Sequence, residues 1–252
     1  MDGEMSAQRD LIDRCLSYRN DVYNFTYRMT ADQDLSEDLT QETLLRAVKK
    51  IDSFSGRSEL KTWLIAIAKN EVFKTGRIKR RDIGRLIELR ATENAEPQQH
   101  ALSRYERETY IEQIKNGCLF ALLTCLPFNQ RVAFILNVLS GVPMATTAVI
   151  LDKTENAARI LVTRARATIK RFLCGHCEHI EETPRCRCLN MLNFSLRNEL
   201  IDQLPGGRIE AAKVEFRKLQ DEIALLKTLP TMEWRRRVDG DSRFAVIFSK
   251  EK

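Results

Sequence analysis

Apolar residues along most of this chain recur at the three- and four-residue steps of a helix, not at the alternate steps of a strand. Ile12, Cys15, Leu16, Val22, Phe25 and Met29 mark roughly one face of a helix predicted over Leu11 to Met29. Thr30 to Asp34 is a polar break. A second helix is predicted over Leu35 to Ile51, with Ser36 as cap and Glu37 and Asp38 adding negative charge to its first turn. Ser53 to Arg57 reads as a loop. Ser58 is the predicted cap of a third helix, in which Leu60, Trp63, Leu64 and Ile67 follow the i, i+3, i+4, i+7 rule. Glu88 to Arg104 has no apolar stripe and reads as a linker. A second helical block starts near Tyr105. It contains Pro127 to Leu139, Pro143 to Leu151 and Glu155 to Phe172, joined by short connections, with proline at the first helical position of the first two.

The helix Glu155 to Phe172 is the most informative segment. Ala158, Val162, Ala165, Ile169 and Phe172 share one stripe. On the wheel, Glu155, Asn156, Arg159, Thr163, Arg166 and Lys170 fall together on an adjacent polar face. Such a helix packs with one side and presents Arg, Asn and Thr with the other. These side chains suit base edges: Arg pairs with guanine and Asn with adenine. Periodicity alone fits an ordinary amphipathic surface helix equally well.

Composition narrows the picture. The chain has 252 residues, 43% hydrophobic and 30% charged, with ten Gly and six Pro, which is a helical, folded composition long enough for two compact units. The net charge is +6, and its distribution matters more than its size. Arg57 to Arg81 carries eight Lys or Arg against two acids, and Arg159 to Arg171 carries a second basic cluster. Two basic patches on a near-neutral spacer fit two contacts with one long polyanion. Enzymatic chemistry finds little support: there are three His, no phosphate-binding glycine loop, and Asp34, Glu37, Asp38 and Glu42 form the one tempting carboxylate group. The first ten residues lack an apolar signal core, so a cytoplasmic protein is expected. Val132 to Leu151 is uncharged over twenty residues, but its polar residues and Gly141-Val142-Pro143 read as a stop and restart between two helices, so no membrane span is expected.

Seven cysteines are present. Cys15, Cys118 and Cys125 lie in apolar helical patterns and read as buried free thiols. Cys174, Cys177, Cys186 and Cys188 are clustered as CxxC and CxC, with His176 and His179 beside them. Four thiolates suit one structural zinc ion in a closed tetrahedral site. A thiol redox switch, another thiophilic metal and unliganded thiols are the alternatives.

Two segments carry a family resemblance. DLTQETLLRAVKKIDSF (Asp38 to Phe54) followed by GRSELKTWLIAIAKNEVFKTGRIKRR (Gly56 to Arg81) resembles region two of the extracytoplasmic-function (ECF) sigma factors of bacterial RNA polymerase. LPFNQRVAFILNVLSGVPMATTAVILDKTENAARILVTRARATIKRFL (Leu126 to Leu173) resembles region four. The resemblance implies that Asp38, Gln41, Glu42 and Arg46 face the polymerase clamp, although a solvated helix face with Leu44, Leu45 and Val48 as core explains them too. It implies that Asn70 reads a flipped base of the minus-ten element, with Lys69, Lys74 and Arg77 holding phosphates. Trp63 matches the family's Trp, and a core aromatic is the expected role. Glu155, Asn156, Arg159, Thr163 and Arg166 are implied to face the minus-thirty-five element. The chain departs from the family at Asp152, where Gly is frequent, and at Ala145 and Thr146, where an acidic pair is usual.

The expectation is therefore an all-α protein of two helical domains joined by a linker: residues 1–87 as region two, 88–104 as linker, 105–173 as a region-four helix-turn-helix, 174–190 as a cysteine-rich zinc motif, and 191–252 as a C-terminal extension. Within the extension, Leu189 to Leu204 shows no clear period, Pro205-Gly206-Gly207 is a turn, Ile209 to Leu229 is helical, and Arg243 to Ser249 is a short strand or unstructured. The expected partners are core RNA polymerase and promoter DNA, and the family admits an anti-sigma factor. A stand-alone helix-turn-helix regulator is the alternative function.

Overall fold

The computed structural model describes residues 2–76, 82, 103–179 and 184–197. Predictions for Arg77, for most of the linker and for the extension beyond 197 lie outside the described residues. So do the turn at Pro205, the helix over Ile209 to Leu229 and the strand over Arg243 to Ser249. The described chain is all-α. Helices α1 (Asp2–Ser17), α2 (Arg19–Thr30), α3 (Gln33–Lys49) and α4 (Leu60–Lys74) form the first block. Helices α5 (Arg104–Cys125), α6 (Phe128–Phe134), α7 (Met144–Leu151) and α8 (Glu155–His176) form the second, and α9 (Cys188–Arg197) follows.

Several boundaries differ from the sequence reading, each for a local reason. The first predicted helix is two helices that meet at Tyr18, and its apolar pattern misses the joint because both helices face the same core. Asp32, not Ser36, caps α3, its carboxylate accepting the Leu35 N–H at 2.9 Å. Ser36 lies one turn inside, where its hydroxyl donates to the Asp32 carbonyl. Glu59 precedes α4 without a side-chain cap, so Ser58 does not cap it. Pro127 and Pro143 each stand one residue before the helix, in extended conformation. Helix α5 starts with a capping box at Ser103 and Glu106, and α8 continues past Phe172 to His176. The stretch after Cys188 is helical, with Leu192 and Ser195 buried.

Polar threads bind α2 to α3. Thr26 Oγ1 lies 3.2 Å from both the Ser36 carbonyl and Thr40 Oγ1, and Thr40 Oγ1 donates to the Ser36 carbonyl at 2.7 Å. These hydroxyls are buried and paired, which is the condition for keeping them inside. In the second block, α6 widens at its end into a π-type turn, where the Ser140 N–H reaches the Ile135 carbonyl five residues back. Gly141 then turns the chain at φ +66°, a conformation that favours a residue without Cβ. Asn137 Nδ2 donates to the Val142 carbonyl at 3.0 Å and holds the turn before α7. The predicted stop and restart is thus present, and no helix among the described residues is long and apolar enough to cross a membrane.

The buried side chains of the two blocks form one contiguous cluster. Helix α4 packs on α7 and α2 on α5. Arg131, 1% exposed, anchors this contact: its Nη1 donates to the Met29 carbonyl of α2 at 2.6 Å, and its Nη2 to the Thr124 carbonyl of α5 at 2.7 Å. Tyr27 meets Phe120 at a ring-centroid distance of 5.0 Å, and Phe73 meets Phe128 at 5.2 Å.

Arg131→Ala is expected to lower the unfolding free energy by about 2–4 kcal/mol, since it strips buried carbonyls of their donor and leaves a void; urea denaturation of the full chain measures it. Ala31, at φ 56° after α2, occupies a left-handed position that disfavours a Cβ. Ala31→Gly is expected to raise stability by up to about 1 kcal/mol in the same assay.

Candidate nucleic-acid and polymerase interfaces

On α3, Asp38, Gln41 and Glu42 are exposed. Their spacing places them on the outer face of the helix, while Leu39, Thr40, Thr43, Leu44 and Ala47 turn inward. Leu45 was expected in the core but is 57% exposed. It stands one turn from Gln41, so an apolar side chain sits among the polar ones on this face. Arg46 is differently placed. Its Nη2 donates to Glu42 Oε1 at 2.9 Å, and its Nε lies 3.0 Å from Oε1 of the buried Glu71 on α4. That hydrogen bond holds the Glu42 carboxyl below its ordinary range and raises the Arg46 guanidinium, with Glu71 reinforcing it. Arg46 is therefore hydrogen-bonded within α3 and joined to α4 by its ion pair with Glu71.

At the end of α4, Asn70 and Lys74 are exposed. Lys74 Nζ lies 3.0 Å from Glu71 Oε1. Lys69 is half-buried, and burial pushes its ammonium down from the ordinary value while the nearby Asp152 opposes the shift. Lys69 thus feels the charges of the turn between α7 and α8, on the side where α4 packs on α7. Trp63 is half-buried and packs on Phe54 at 5.3 Å, the core-side role expected of it. The structure brings Asn70, Lys69 and Lys74 to one end of α4, and Arg77 lies outside the described residues.

Helix α8 carries the second surface. Thr154 caps it, its hydroxyl accepting the Ala157 N–H at 3.2 Å. Ala158, Val162, Ala165 and Ile169 of the predicted stripe are buried; at its end Leu173 is buried and Phe172, expected there, is half-buried. Glu155, Asn156, Arg159 and Thr163 are exposed, and Arg166 is half-buried. Arg159 forms an i,i+4 ion pair with Glu155, and Thr163 Oγ1 donates to the Arg159 carbonyl at 3.0 Å. The N-terminal half of α8 thus offers an amide, a guanidinium, a carboxylate and a hydroxyl on one solvent face. Asp152, the departure from the frequent Gly, has φ 54°, a left-handed conformation that Asp tolerates better than most residues.

The cysteines fall into two settings. Cys15 is buried, and burial raises its thiol. Cys177 and Cys186 face each other across a parallel backbone bridge, and Cys174 is half-buried in the last turn of α8. Cys188 lies beside His179, whose Nε2 is 3.5 Å from its Sγ, and its N–H donates to Glu178 Oε1 at 2.6 Å. Among the described residues, Glu178, His179 and Cys188 bring their ligand atoms within 4.8 Å of one another. Burial pushes the Cys118 thiol up to about 12, with the Cys186, Cys177 and Cys125 thiols adding to the rise. Cys188 is raised by burial and by Glu178, with Cys118 and Cys177 adding to it. The apolar helical setting of Cys118 reads as a simple core thiol, and the packing of α9 on α5 is a tertiary contact that this setting does not announce.

Comparison with known proteins matches residues 16–82 to Sigma-70 region 2 and residues 116–169 to Sigma-70, region 4. The chain is similar to the ECF RNA polymerase sigma factor BldN of Streptomyces coelicolor, 31% identical over 176 residues, covering 68% of this chain and 62% of that relative. It thus spans somewhat less than two thirds of BldN. The ECF RNA polymerase sigma factor SigC of Mycobacterium tuberculosis is 32% identical over 148 residues, covering 59% of this chain and 75% of SigC. Among solved structures, the sigma factor RpoE in complex with the anti-sigma factor NepR from Bartonella quintana is 26% identical, with a TM-score of 0.46, covering 66% of this chain and 97% of that one. With two sigma segments matched in order and SigC matched over three quarters of its own length, this chain belongs to the ECF RNA polymerase sigma factor family.

Proposed function

We propose that this chain directs core RNA polymerase to specific promoters, contacting the minus-ten element with the end of α4 and the minus-thirty-five element with α8, and performs no catalytic step itself. The observation that carries the reading is the occurrence of both sigma segments in one chain, each with an exposed polar face of suitable chemistry. A stand-alone helix-turn-helix regulator needs α8 but has no use for the first segment. The outer face of α3, with Asp38, Gln41, Glu42 and Leu45, is the proposed clamp contact, and Arg46 shapes that face through Glu42. Asn70 is the proposed base reader, with Lys69, Lys74 and Arg77 as phosphate contacts. Glu155, Asn156, Arg159, Thr163 and Arg166 are the proposed duplex contacts. The protein acts where the polymerase is, in the cytoplasm, and an anti-sigma factor is a further proposed partner. The cysteine-rich segment after α8 is proposed to bind one structural zinc ion.

The packing of the two blocks supports a dependence on polymerase. Helix α4 packs on α7 and Lys69 is half-buried, so its full use on DNA calls for α4 and α7 to part. Polymerase binding supplies the energy and fixes the spacing of the two DNA-reading faces.

The free chain is accordingly expected to bind promoter duplexes weakly and to melt none, whereas with core polymerase it gives run-off transcripts from a subset of genomic fragments. Tight, specific binding and strand opening by the free chain would reject the reading. Asn70→Ala is expected to reduce promoter opening, scored by permanganate reactivity, while leaving polymerase binding within about twofold. Arg159→Ala is expected to lose about 1–3 kcal/mol of discrimination between matched and mismatched minus-thirty-five sequences. Equal weakening on all sequences would make Arg159 a phosphate contact.

A further inference from the structure

Helix α8 ends at His176, and the chain then comes round to run beside itself. The Cys186 N–H donates to the His176 carbonyl at 2.9 Å, and the Glu178 N–H donates to the Cys186 carbonyl at 3.2 Å. The bridge is parallel and pairs Cys177 with Cys186. Two residues beyond it on each side stand His179 and Cys188, the latter opening α9. The Glu178 carboxylate accepts the Cys188 N–H at 2.6 Å. The His179 Nε2 lies 3.5 Å from the Cys188 Sγ and 4.0 Å from the Glu178 Oε1. One carboxylate oxygen, one imidazole nitrogen and one sulfur thus lie within 4.8 Å of one another. Around a tetrahedral zinc ion, bonds of about 2.3 Å to sulfur and about 2.0–2.2 Å to nitrogen and oxygen set the ligand atoms about 3.4–3.6 Å apart. The sulfur–nitrogen edge already has that length. The nitrogen–oxygen edge is too long for a hydrogen bond, and a small side-chain rotation closes it.

We infer that Glu178, His179 and Cys188 hold one zinc-class divalent ion, with its fourth position open to solvent. The donors select the ion: a thiolate and an imidazole favour zinc over the harder magnesium and calcium ions. The charges balance, because a thiolate and a carboxylate together offset the two positive charges of the ion. A half-buried site without net charge is the least costly to hold away from water. Without an ion, a thiolate beside a carboxylate meets like-charge repulsion. Access fits as well: His179 is exposed, and Glu178 and Cys188 are half-buried, so the ion exchanges with solvent and water completes the tetrahedron. The other clustered thiols are placed differently. Cys177 and Cys186 pack against the apolar core, and Cys174 lies in the last turn of α8. The ion ties the start of α9, which lies along α5, to the turn that follows α8.

The inference rests on the reading that the cysteine-rich segment binds zinc, and it names the donors; one set of measurements separates the two. The full chain is stripped of metal under reducing conditions and titrated with cobalt(II), then with zinc against a chromophoric chelator. Each bound thiolate adds to the sulfur-to-cobalt charge-transfer band, so the band counts the thiols that bind. Glu178→Gln, His179→Gln, Cys188→Ser, Cys174→Ser and Cys186→Ser are compared with the parent chain. The expected result is one ion per chain and a band of one-thiolate strength that Cys188→Ser abolishes. Binding is expected to weaken at least about tenfold in Glu178→Gln and His179→Gln, and to stay within about twofold in Cys174→Ser and Cys186→Ser. A chain that takes up neither cobalt nor zinc overturns both readings. A band of several thiolates, weakened by Cys174→Ser or Cys186→Ser, overturns this donor set alone and leaves zinc binding by the cysteines. Parent-like affinity in Glu178→Gln or His179→Gln also overturns the set. Should Cys188→Ser lose its helical circular dichroism, His179→Gln decides, because its side chain is exposed: retained affinity overturns the set, and weakened affinity with intact helicity supports it.

Discussion

Taking a guanidinium out of water costs several kcal/mol unless its donors find acceptors. Arg131 meets that condition with carbonyls that themselves lack helical partners. Met29 is in the last turn of α2, Thr124 is in the last turn of α5, and Leu126 follows α5, its carbonyl 3.3 Å from Nη2. Helix ends leave such carbonyls exposed and carry partial negative charge. One cation therefore caps two helices from different blocks, and the two ends must stay together for either to be satisfied. The Tyr27–Phe120 and Phe73–Phe128 contacts and the bond from Arg28 Nη1 to Ser140 Oγ at 3.2 Å lie across the same junction.

That junction decides which functional surfaces are available. The outer face of α3 is exposed, and its Leu45 adds apolar area to a polar patch, the mixture that suits a protein contact better than a purely solvated face. The N-terminal half of α8 is also exposed. Its Glu155–Arg159 pair is a surface ion pair, worth at most about 1 kcal/mol, so a base edge can take the guanidinium from Glu155 at small cost. Arg46 is held more firmly, because one of its two partners, Glu71, is buried, and freeing Arg46 would leave that carboxylate with Lys74 as its remaining cation.

Periodicity located α8 and its buried stripe because a helix packed on one side must repeat its apolar residues at helical steps. It also placed Glu155, Asn156 and Arg159 on an exposed face, whereas Asn70 was reached only through the family resemblance. What it missed depends on distance in the chain. Arg131 reads as one more charge on a helix until Met29, 102 positions earlier, supplies a carbonyl. Leu45 reads as core because an apolar side chain carries no mark of the face it occupies. Cys118 reads as an ordinary buried thiol because its neighbours arrive from beyond the end of α8. The joint at Tyr18 and the cap at Asp32 were misplaced because two short helices facing one core give almost the same pattern as one long helix.

Asp152 is where backbone geometry and charge between the blocks meet. It ends α7 in a left-handed conformation, three residues before the helix that carries the proposed duplex contacts. Glycine would adopt that conformation with less strain, a saving on the order of 1 kcal/mol. Glycine would also remove the carboxylate near Lys69, whose ammonium is half-buried and partly offset by that charge. A charge interaction between partly exposed groups contributes at most about 1 kcal/mol, so the electrostatic effect does not exceed the conformational one. The aspartate is thus explained by neither the turn nor the charge alone. Its conformational cost falls on the second block, while its electrostatic benefit goes to a lysine of the first and depends on the two blocks staying together.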